Sequence, residues 1–211
     1  MPPFDAWTCA SIVGALGRRA IALVGMPYSG KSTVGYYLAD ELKVQFVDTD
    51  RVLEAGYRMP VSDIIDVFKE PIFRQSEEKV IADLLRDGPR VVATGGGAFT
   101  ENAASRARIK ARSLSIWLKS EESLLLERFN NRPDRPLLKS SPDPKAKLKS
   151  LIAERNPIFA KADMVVDVGV MSPQEVVNEI LKRHSEMIRI LRAKPIFSDP
   201  GQRVFSISGT G

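Results

Sequence analysis

A glycine-rich segment near the N-terminus carries the clearest chemical signal in the chain. It matches G-x-x-x-x-G-K-S/T in full, follows an apolar run and opens a helical pattern; its residues are Gly25-Met26-Pro27-Tyr28-Ser29-Gly30-Lys31-Ser32-Thr33. The glycines let successive backbone N–H groups face a phosphate, and the start of the following helix adds partial positive charge. Lys31 can reach terminal phosphates and the Ser32 hydroxyl can bind Mg²⁺. A chance Gly-Lys-Ser turn is the alternative, but the flanking strand and helix favour a nucleotide-phosphate site.

Two carboxylates, Asp48 and Asp50, follow the second apolar run of the chain at 44–47. Beside a phosphate loop, one carboxylate can hold Mg²⁺ through water while the other orients or deprotonates a hydroxyl for phosphoryl transfer. An aspartate before a helix is also a common N-cap, so Asp50 alone fits either role. The phosphate loop favours the catalytic interpretation.

Predicted strands and helices alternate along the chain. Apolar runs predict strands at 20–24, 44–47, 90–93, 113–118 and 164–168, and helical patterns occur at 31–42, 50–58, 61–68, 72–85, 101–111, 121–129, 146–162 and 172–189. This order predicts an α/β fold, with a parallel β-sheet of about five strands flanked by helices. Ligands of such folds bind at the carboxyl ends of the strands, where we expect the phosphate loop, the acidic pair and a triple glycine at 95–97.

One segment, 130–147, interrupts this alternation. It is polar, rich in proline, lysine and arginine, and lacks periodicity. Long loops of this kind inside a domain are usually functional or disordered, and we interpret this one as a lid that orders over bound nucleotide.

We divide the chain into an N-terminal extension at 1–19, a main domain at 20–189 with its acceptor-binding region near 50–80, and a tail at 190–211. In the extension we expect a helix whose Trp7, Ile12 and Leu16 touch the core.

Composition limits the possible partners. The chain has 211 residues and a formal charge of +5, which suits one α/β domain with an anionic ligand. Its basic residues are scattered rather than interleaved with aromatic residues on one element, which disfavours nucleic acid. No apolar run is long enough to span a bilayer, and the arginines follow the apolar N-terminal stretch, the wrong order for a signal peptide. Cys9 is the only cysteine, so no internal disulfide can form. We expect a cytoplasmic monomer.

Several motifs, in this order and spacing, resemble the shikimate kinase family. They are Asp48-Thr49-Asp50, 64–68 (I-x-D-I-F), Phe73-Arg74 with Glu77 (F-R-x-x-E), 92–98 (V-x-A-T-G-G-G-A), Arg135-Pro136-Leu137-Leu138, and 155–159 (R-x-P-x-Y). The phosphate loop is shared by many enzymes, whereas the triple glycine and R-P-L-L are far more specific. The resemblance covers about 20–183. It implies a P-loop NTPase fold of the nucleoside monophosphate kinase type with a lid, and MgATP-dependent phosphorylation of the shikimate 3-hydroxyl in aromatic amino-acid (chorismate) biosynthesis.

The resemblance implies roles for residues on the acceptor side. Asp50 matches the aspartate that binds the reacting hydroxyl and serves as base. Arg74 and Arg155 match two arginines that clamp the substrate carboxylate, a geometry that guanidinium forks suit. The backbone wall around the substrate is matched by Gly95, Gly96 and Gly97.

On the nucleotide side, Asp48 matches the aspartate that assists Mg²⁺ through water, alongside the Ser32 hydroxyl. Arg128 matches an arginine that covers the adenine, and Arg135 matches a lid arginine that swings onto the phosphates. Lys31, Asp50 and Arg135 would then be the catalytic residues, with ATP bound by the whole phosphate loop, Arg128 and Arg135.

Three positions depart from the family pattern. Only four residues, 69–72, separate Phe68 from Phe73, where the family usually has a longer stretch carrying Gly-Glu. Phe159 replaces the usual tyrosine, and Val168 stands where threonine is common.

Two other functions compete with this one. The arginine pair would also suit a kinase for another hydroxy acid such as gluconate, and the shortened stretch before Phe73 would suit a relative that binds nucleotide without turnover. The only histidine, His184, lies among charged neighbours, and we expect it at the surface.

Overall fold

The computed structural model describes residues 4–131 and 142–193, with side chains up to 130 in the first range and up to 186 in the second. Part of the predicted lid, including Arg135, and most of the predicted tail lie outside the described residues. Within them, the elements are α1 (Ala6–Leu16), β1 (Ala20–Val24), α2 (Lys31–Leu42), β2 (Gln45–Asp48), α3 (Thr49–Tyr57), α4 (Val61–Leu84), β3 (Arg90–Ala93), α5 (Ala103–Arg112), β4 (Ser113–Lys119), α6 (Glu122–Asn131), α7 (Pro144–Phe159), β5 (Met164–Asp167) and α8 (Pro173–Ala193).

The strands form one five-stranded sheet in the order β2-β3-β1-β4-β5, and all of its neighbours run parallel. The predicted parallel sheet flanked by helices is therefore confirmed. Every residue of the central strand β1 is buried, as expected for an apolar strand covered by helices on both faces.

The register of the sheet brings three strand ends together. Asp48 at the end of β2 pairs with Ala93 of β3, and Leu23 of β1 pairs with the same alanine. Beyond β3, the Thr94 amide and hydroxyl both donate to the Leu23 carbonyl, which ties the start of the triple-glycine loop to β1. The phosphate loop, the acidic pair and the triple glycine thus share one edge of the sheet.

The apolar core fills both faces of the sheet. One cluster joins β1 and β4 to α1, α2 and α8, and the other joins them to α5, α6 and α7. Ile12 and Leu16 of α1 are buried as predicted, but Trp7 is 75% exposed, so its predicted core contact is wrong. Trp7 lies in the first turn of α1, and the residues of this helix that reach the core are Cys9, Ile12 and Leu16.

The prediction that His184 lies at the surface is also wrong. The side chain is 4% exposed. Its position follows the buried stripe of α8, because Val177, Ile180, Leu181 and His184 recur at helical spacing. The charged residues beside it in sequence lie on the other faces of the helix.

Helix α4 accommodates the shortened stretch before Phe73. The two predicted helices at 61–68 and 72–85 merge across a kink at Lys69, whose φ of 69° is non-helical. Pro71 explains the break, because proline lacks an amide hydrogen and its ring collides with the carbonyl four residues earlier. The second half of the helix carries Phe73, Arg74 and Glu77, with Phe73 buried against Leu53 and Ile64.

None of the helices within 4–131 and 142–193 is long and apolar enough to cross a membrane.

Candidate active site

The phosphate loop curls around the Lys31 side chain. The Nζ atom donates to the carbonyls of Gly25 at 3.0 Å and Met26 at 2.8 Å. Gly30 caps α2 with a φ of 91°, a conformation that glycine adopts without strain. Arg128 Nη1 donates to the Tyr28 carbonyl at 2.9 Å, so an arginine of α6 lies against this loop.

Asp48 is the residue that caps α3. Its Oδ1 atom accepts the Asp50 amide at 3.0 Å, and Asp50 itself lies in the first turn of the helix. The capping interpretation of Asp50 is therefore wrong, because the capping side chain is that of Asp48. The second oxygen, Asp48 Oδ2, accepts the Ser32 hydroxyl at 2.5 Å, which joins the acidic pair to the phosphate loop.

Ser32 and Asp48 fit a magnesium ion that arrives with a nucleotide. Both supply hard oxygen donors, and Mg²⁺ usually keeps several waters and takes one or two protein oxygens plus substrate phosphates. Among the described residues, no group of three or more histidine, cysteine or acidic side chains could hold a metal by itself. The donor set thus suits a nucleotide-bound ion rather than a dedicated protein cage.

Arg74 and Arg155 come together from α4 and α7 on the other side of the cleft. Arg74 pairs with Glu77 at 2.9 Å and with Glu70 at 3.0 Å, and it also contacts Glu101. The Arg155 side chain is 6% exposed; it contacts Glu101, and its Nη1 atom donates to the Gly96 carbonyl at 3.4 Å. Burial, followed by the nearby charge of Arg74, lowers the pKa of Arg155 to about 10. Two like charges, Arg155 buried and Arg74 partly buried, therefore lie in one region of the site.

Glu77 is a fully buried carboxylate beside this pair. Burial raises its pKa above the ordinary glutamate value, while the adjacent Arg74 guanidinium works in the opposite direction. Glu77 Oε2 accepts from Arg74, and the free side of the carboxylate points toward the triple-glycine loop, where a Cβ added to Gly95 would lie 2.3 Å from Oε1.

Each of the three glycines lies so close to neighbouring atoms that a side chain would collide with them. A Cβ on Gly95 would also lie 2.9 Å from Asp50 Oδ1, and one on Gly96 would meet Pro27 at 2.9 Å. A Cβ on Gly97 would lie 2.5 Å from Glu101 Oε2 and 2.7 Å from Arg74 Nη2. The Gly95 amide donates to the buried Thr49 hydroxyl at 2.9 Å, which fixes the loop to the start of α3.

A single cavity of about 960 Å³ collects most of the predicted site residues. Those that line it are Pro27, Tyr28, Ser29, Gly30, Lys31, Ser32, Thr33, Asp48, Asp50, Arg74, Gly95, Gly96, Gly97, Arg128 and Arg155. Gly25 and Met26, the first two residues of the loop, do not line the cavity, and their carbonyls accept from Lys31 Nζ. Arg135 lies outside the described residues.

Comparison with known proteins identifies the family of this chain. The family model described as "Shikimate kinase" matches residues 27–185. A shikimate kinase from Nitrobacter winogradskyi is 42% identical over 200 residues, covering 94% of this chain and 92% of that protein. The chain belongs to the shikimate kinase family. A shikimate kinase from Bradyrhizobium diazoefficiens is also 42% identical, covering 85% of this chain and 86% of that protein.

Solved structures of shikimate kinases share the fold. The shikimate kinase from Acinetobacter baumannii in complex with shikimate superposes with a TM-score of 0.76 at 30% identity, covering 87% of this chain and 99% of that chain. The shikimate kinase family consists of ATP-dependent kinases, and the described cavity combines a phosphate loop with a second, arginine-lined region.

The structure shows the environment of two residues that depart from the shikimate kinase pattern, Phe159 and Val168. Phe159, in place of tyrosine, is buried and stacks with Phe99 and Trp117 at centroid separations of 6.3 and 5.8 Å. A ring without a hydroxyl suits this apolar environment, since a buried hydroxyl needs a hydrogen-bond partner. Val168 lines the large cavity, as do Arg128 and the phosphate loop.

Sequence reasoning missed Glu101, which contacts both arginines. The sequence pattern placed it at the start of a helix predicted at 101–111, but α5 begins at Ala103 with Asn102 as its N-cap. Glu101 instead ends the turn that follows the triple glycine, where its amide donates to the Gly97 carbonyl at 2.8 Å. No periodic or motif signal marks such a residue, because its partners come from α4 and α7.

Proposed function

We propose that this chain transfers the γ-phosphoryl group of ATP to the 3-hydroxyl of shikimate. One observation carries the proposal: the phosphate loop, the Asp50 carboxylate and the Arg74–Arg155 pair line the same cavity of about 960 Å³. Such a cavity holds a nucleotide phosphate at one end and a carboxylate at the other, with a candidate base between them. Shikimate carries both a carboxylate and a hydroxyl, so it can contact the arginines and the base at once.

The phosphate end would bind ATP through the loop amides and Lys31. Lys31 Nζ now contacts loop carbonyls, and it would exchange them for β- and γ-phosphate oxygens. Ser32 and Asp48 would hold Mg²⁺ directly and through water, and the ion would neutralise charge on the phosphates. Arg128, already against the loop, would lie over the adenine, and Arg135 would approach the phosphates from the lid.

The acceptor end would orient the reacting hydroxyl. Arg74 and Arg155 would bind the shikimate carboxylate, and Gly95, Gly96 and Gly97 would let the loop backbone approach the ring. Asp50 would accept the proton of the 3-hydroxyl as the oxygen attacks the γ-phosphorus and the bond to the ADP oxygen breaks. Positioning and charge neutralisation supply most of the rate in phosphoryl transfer.

We further propose that the enzyme acts as a cytoplasmic monomer with Mg²⁺ as its cofactor.

A coupled assay for ADP release tests this proposal, run with shikimate, with gluconate and without acceptor. Turnover that depends on shikimate is the expected result. Faster release with gluconate would assign another hydroxy acid, and nucleotide binding without release in any arm would indicate a relative that has lost turnover.

Two lysine variants make the assay specific to this site. Lys31→Met should abolish ADP release while the melting temperature stays near that of the wild type, since the side chain acts on phosphate. Lys79→Met, which changes an exposed lysine on α4, is the matched control. Wild-type turnover in Lys31→Met would remove the phosphate loop from the reaction.

A further inference from the structure

The arginine pair is held from behind by one carboxylate. Glu101 Oε2 contacts Arg74 Nη2, and Glu101 Oε1 contacts Arg155 Nη2, so its two oxygens are divided between the two guanidinium groups. Among the described residues, Glu101 is the one carboxylate that pairs with both. Glu70 and Glu77 pair only with Arg74, from the same helix.

The position of Glu101 separates it from the acceptor. Arg74 and Arg155 line both the large cavity and a neighbouring cavity of about 580 Å³. Glu101 lines only the smaller one, together with Glu70, Lys147 and Glu154. The two arginines therefore form the wall between the cavities, and Glu101 contacts them from the side away from the phosphate loop.

The positive charges of Arg74 and Arg155 explain why a carboxylate between them is needed. Arg155 is buried and close to Arg74, and burial together with that neighbouring charge lowers the pKa of Arg155. Two guanidinium groups in a low-dielectric site repel each other. Glu70 and Glu77 offset part of that charge at Arg155, and Glu101 adds a carboxylate in direct contact with both guanidinium groups. The missing side chain at Gly97 makes room for this arrangement, because a Cβ there would collide with Glu101 and Arg74 together.

We propose that Glu101 is a positioning residue, which bridges Arg74 and Arg155 from behind and fixes their spacing for the carboxylate of the acceptor. This inference rests on the proposed function, since it assigns the acceptor carboxylate to the arginine pair. Supporting contacts of this kind hold binding groups within a fraction of an ångström of the position that the ligand needs. Small displacements from that position weaken binding strongly.

Shikimate binding by Glu101→Gln, measured by calorimetry on the full chain, tests the proposal. An amide keeps the shape but cannot pair ionically with two guanidinium groups. The dissociation constant and KM for shikimate should rise about 5- to 50-fold, well beyond any change in kcat or in KM for ATP. Glu101→Asp, which keeps the charge on a shorter arm, should recover part of the loss. Binding of a non-hydrolysable ATP analogue shows that each variant is folded.

Glu70→Gln is the matched control, because it removes a carboxylate that pairs directly with Arg74 and acts on Arg155 only through longer-range charge. It should raise KM for shikimate by a clearly smaller factor. An equal loss in Glu70→Gln would mean that bulk charge alone matters, and unchanged or tighter binding in Glu101→Gln would mean that Glu101 positions nothing or competes with the acceptor. Each of these results overturns the proposal while wild-type binding of shikimate persists. Absence of wild-type shikimate binding would instead refute the proposed function, and this inference with it.

Discussion

At the scale of single residues, the two aspartates at the end of β2 divide two tasks. Asp48 caps α3 and accepts the Ser32 hydroxyl, so both of its oxygens have partners that serve structure and the phosphate end. Asp50 lies in the first turn of the helix, where a Cβ added to Gly95 of the triple-glycine loop would be 2.9 Å from its Oδ1 atom. A change at position 50 therefore leaves the helix cap in place, which separates the chemical role from the structural one.

We predict that Asp50→Asn lowers kcat by about 10²–10⁴-fold, because an amide cannot accept the proton of the hydroxyl. KM for ATP should change little, since the nucleotide end of the cavity is untouched. Steady-state kinetics with shikimate and MgATP, accompanied by a thermal melt, make the measurement. A variant that keeps more than about half of the wild-type kcat would return Asp50 to a structural role.

A second prediction at the residue scale concerns Arg74 and Arg155 and their binding of shikimate. Arg74→Lys and Arg155→Lys should each weaken shikimate binding by about 1–3 kcal/mol, because lysine keeps the charge but loses the bidentate fork. ATP binding should be affected less. Titration of shikimate and of an ATP analogue into each variant separates the two ligands. If neither variant alters shikimate affinity, the carboxylate binds elsewhere in the cavity.

At the scale of elements, the Thr49 side chain ties the loop after β3 to the start of α3. The Thr49 hydroxyl is fully buried and accepts the Gly95 amide at 2.9 Å. This bond places the triple glycine next to Asp50 and Glu77, and so it sets the distance between two regions of the cavity wall.

We predict that Thr49→Val lowers the free energy of unfolding by about 1–3 kcal/mol, because the isosteric methyl leaves the buried Gly95 amide without its acceptor. The variant should also lose kcat/KM for shikimate as the loop shifts. Thr49→Ser retains the hydroxyl and should lose much less of both. Urea denaturation of the three proteins measures the effect, and a valine variant as stable as the wild type would show that water or another group replaces the bond.

At the scale of the whole molecule, the only histidine makes stability depend on pH. His184 is buried in α8, where burial and then the charge of Arg19 lower its pKa below the ordinary value. The unfolded chain therefore binds this proton at a higher pH than the folded chain does. The contribution to stability is present above the unfolded pKa of about 6.5 and is lost as the pH falls toward the folded pKa.

We predict that the wild-type free energy of unfolding falls relative to that of His184→Gln as the pH is lowered from about 7.5 to about 5, with a slope of at most about 1.4 kcal/mol per pH unit. The difference between the two proteins removes the contribution of carboxylates such as Glu77, which both share. Denaturation curves at several pH values provide the measurement. Parallel pH profiles would show that His184 does not titrate on unfolding.

The sequence predicted those features of the fold and site that depend on residues close together in the chain. The phosphate loop, the five strands and their common carboxyl edge follow from a continuous motif and from apolar runs, and the structure confirms the parallel sheet. The capping role of Asp48 was missed because helix boundaries shift by one or two residues without changing the pattern.

Residues whose environment depends on tertiary contacts were harder to predict. Glu101 lies in a turn, and its two partners are distant in sequence, so no spacing points to it. His184 did follow the apolar stripe of α8, but its charged neighbours outweighed that signal. Trp7 was expected in the core because it begins a mildly apolar stretch, yet the buried residues of α1 are Cys9, Ile12 and Leu16.

The most direct test of the account is to identify the phosphorylated atom. The wild-type chain would be incubated with MgATP and shikimate, and the product examined by ¹H–³¹P correlation NMR. We predict one product, in which phosphorus couples to the hydrogen on carbon 3, because the arginine pair would hold the carboxylate while Asp50 would select one hydroxyl. Coupling to a different carbon, or ADP formed without any phosphorylated shikimate, would contradict it.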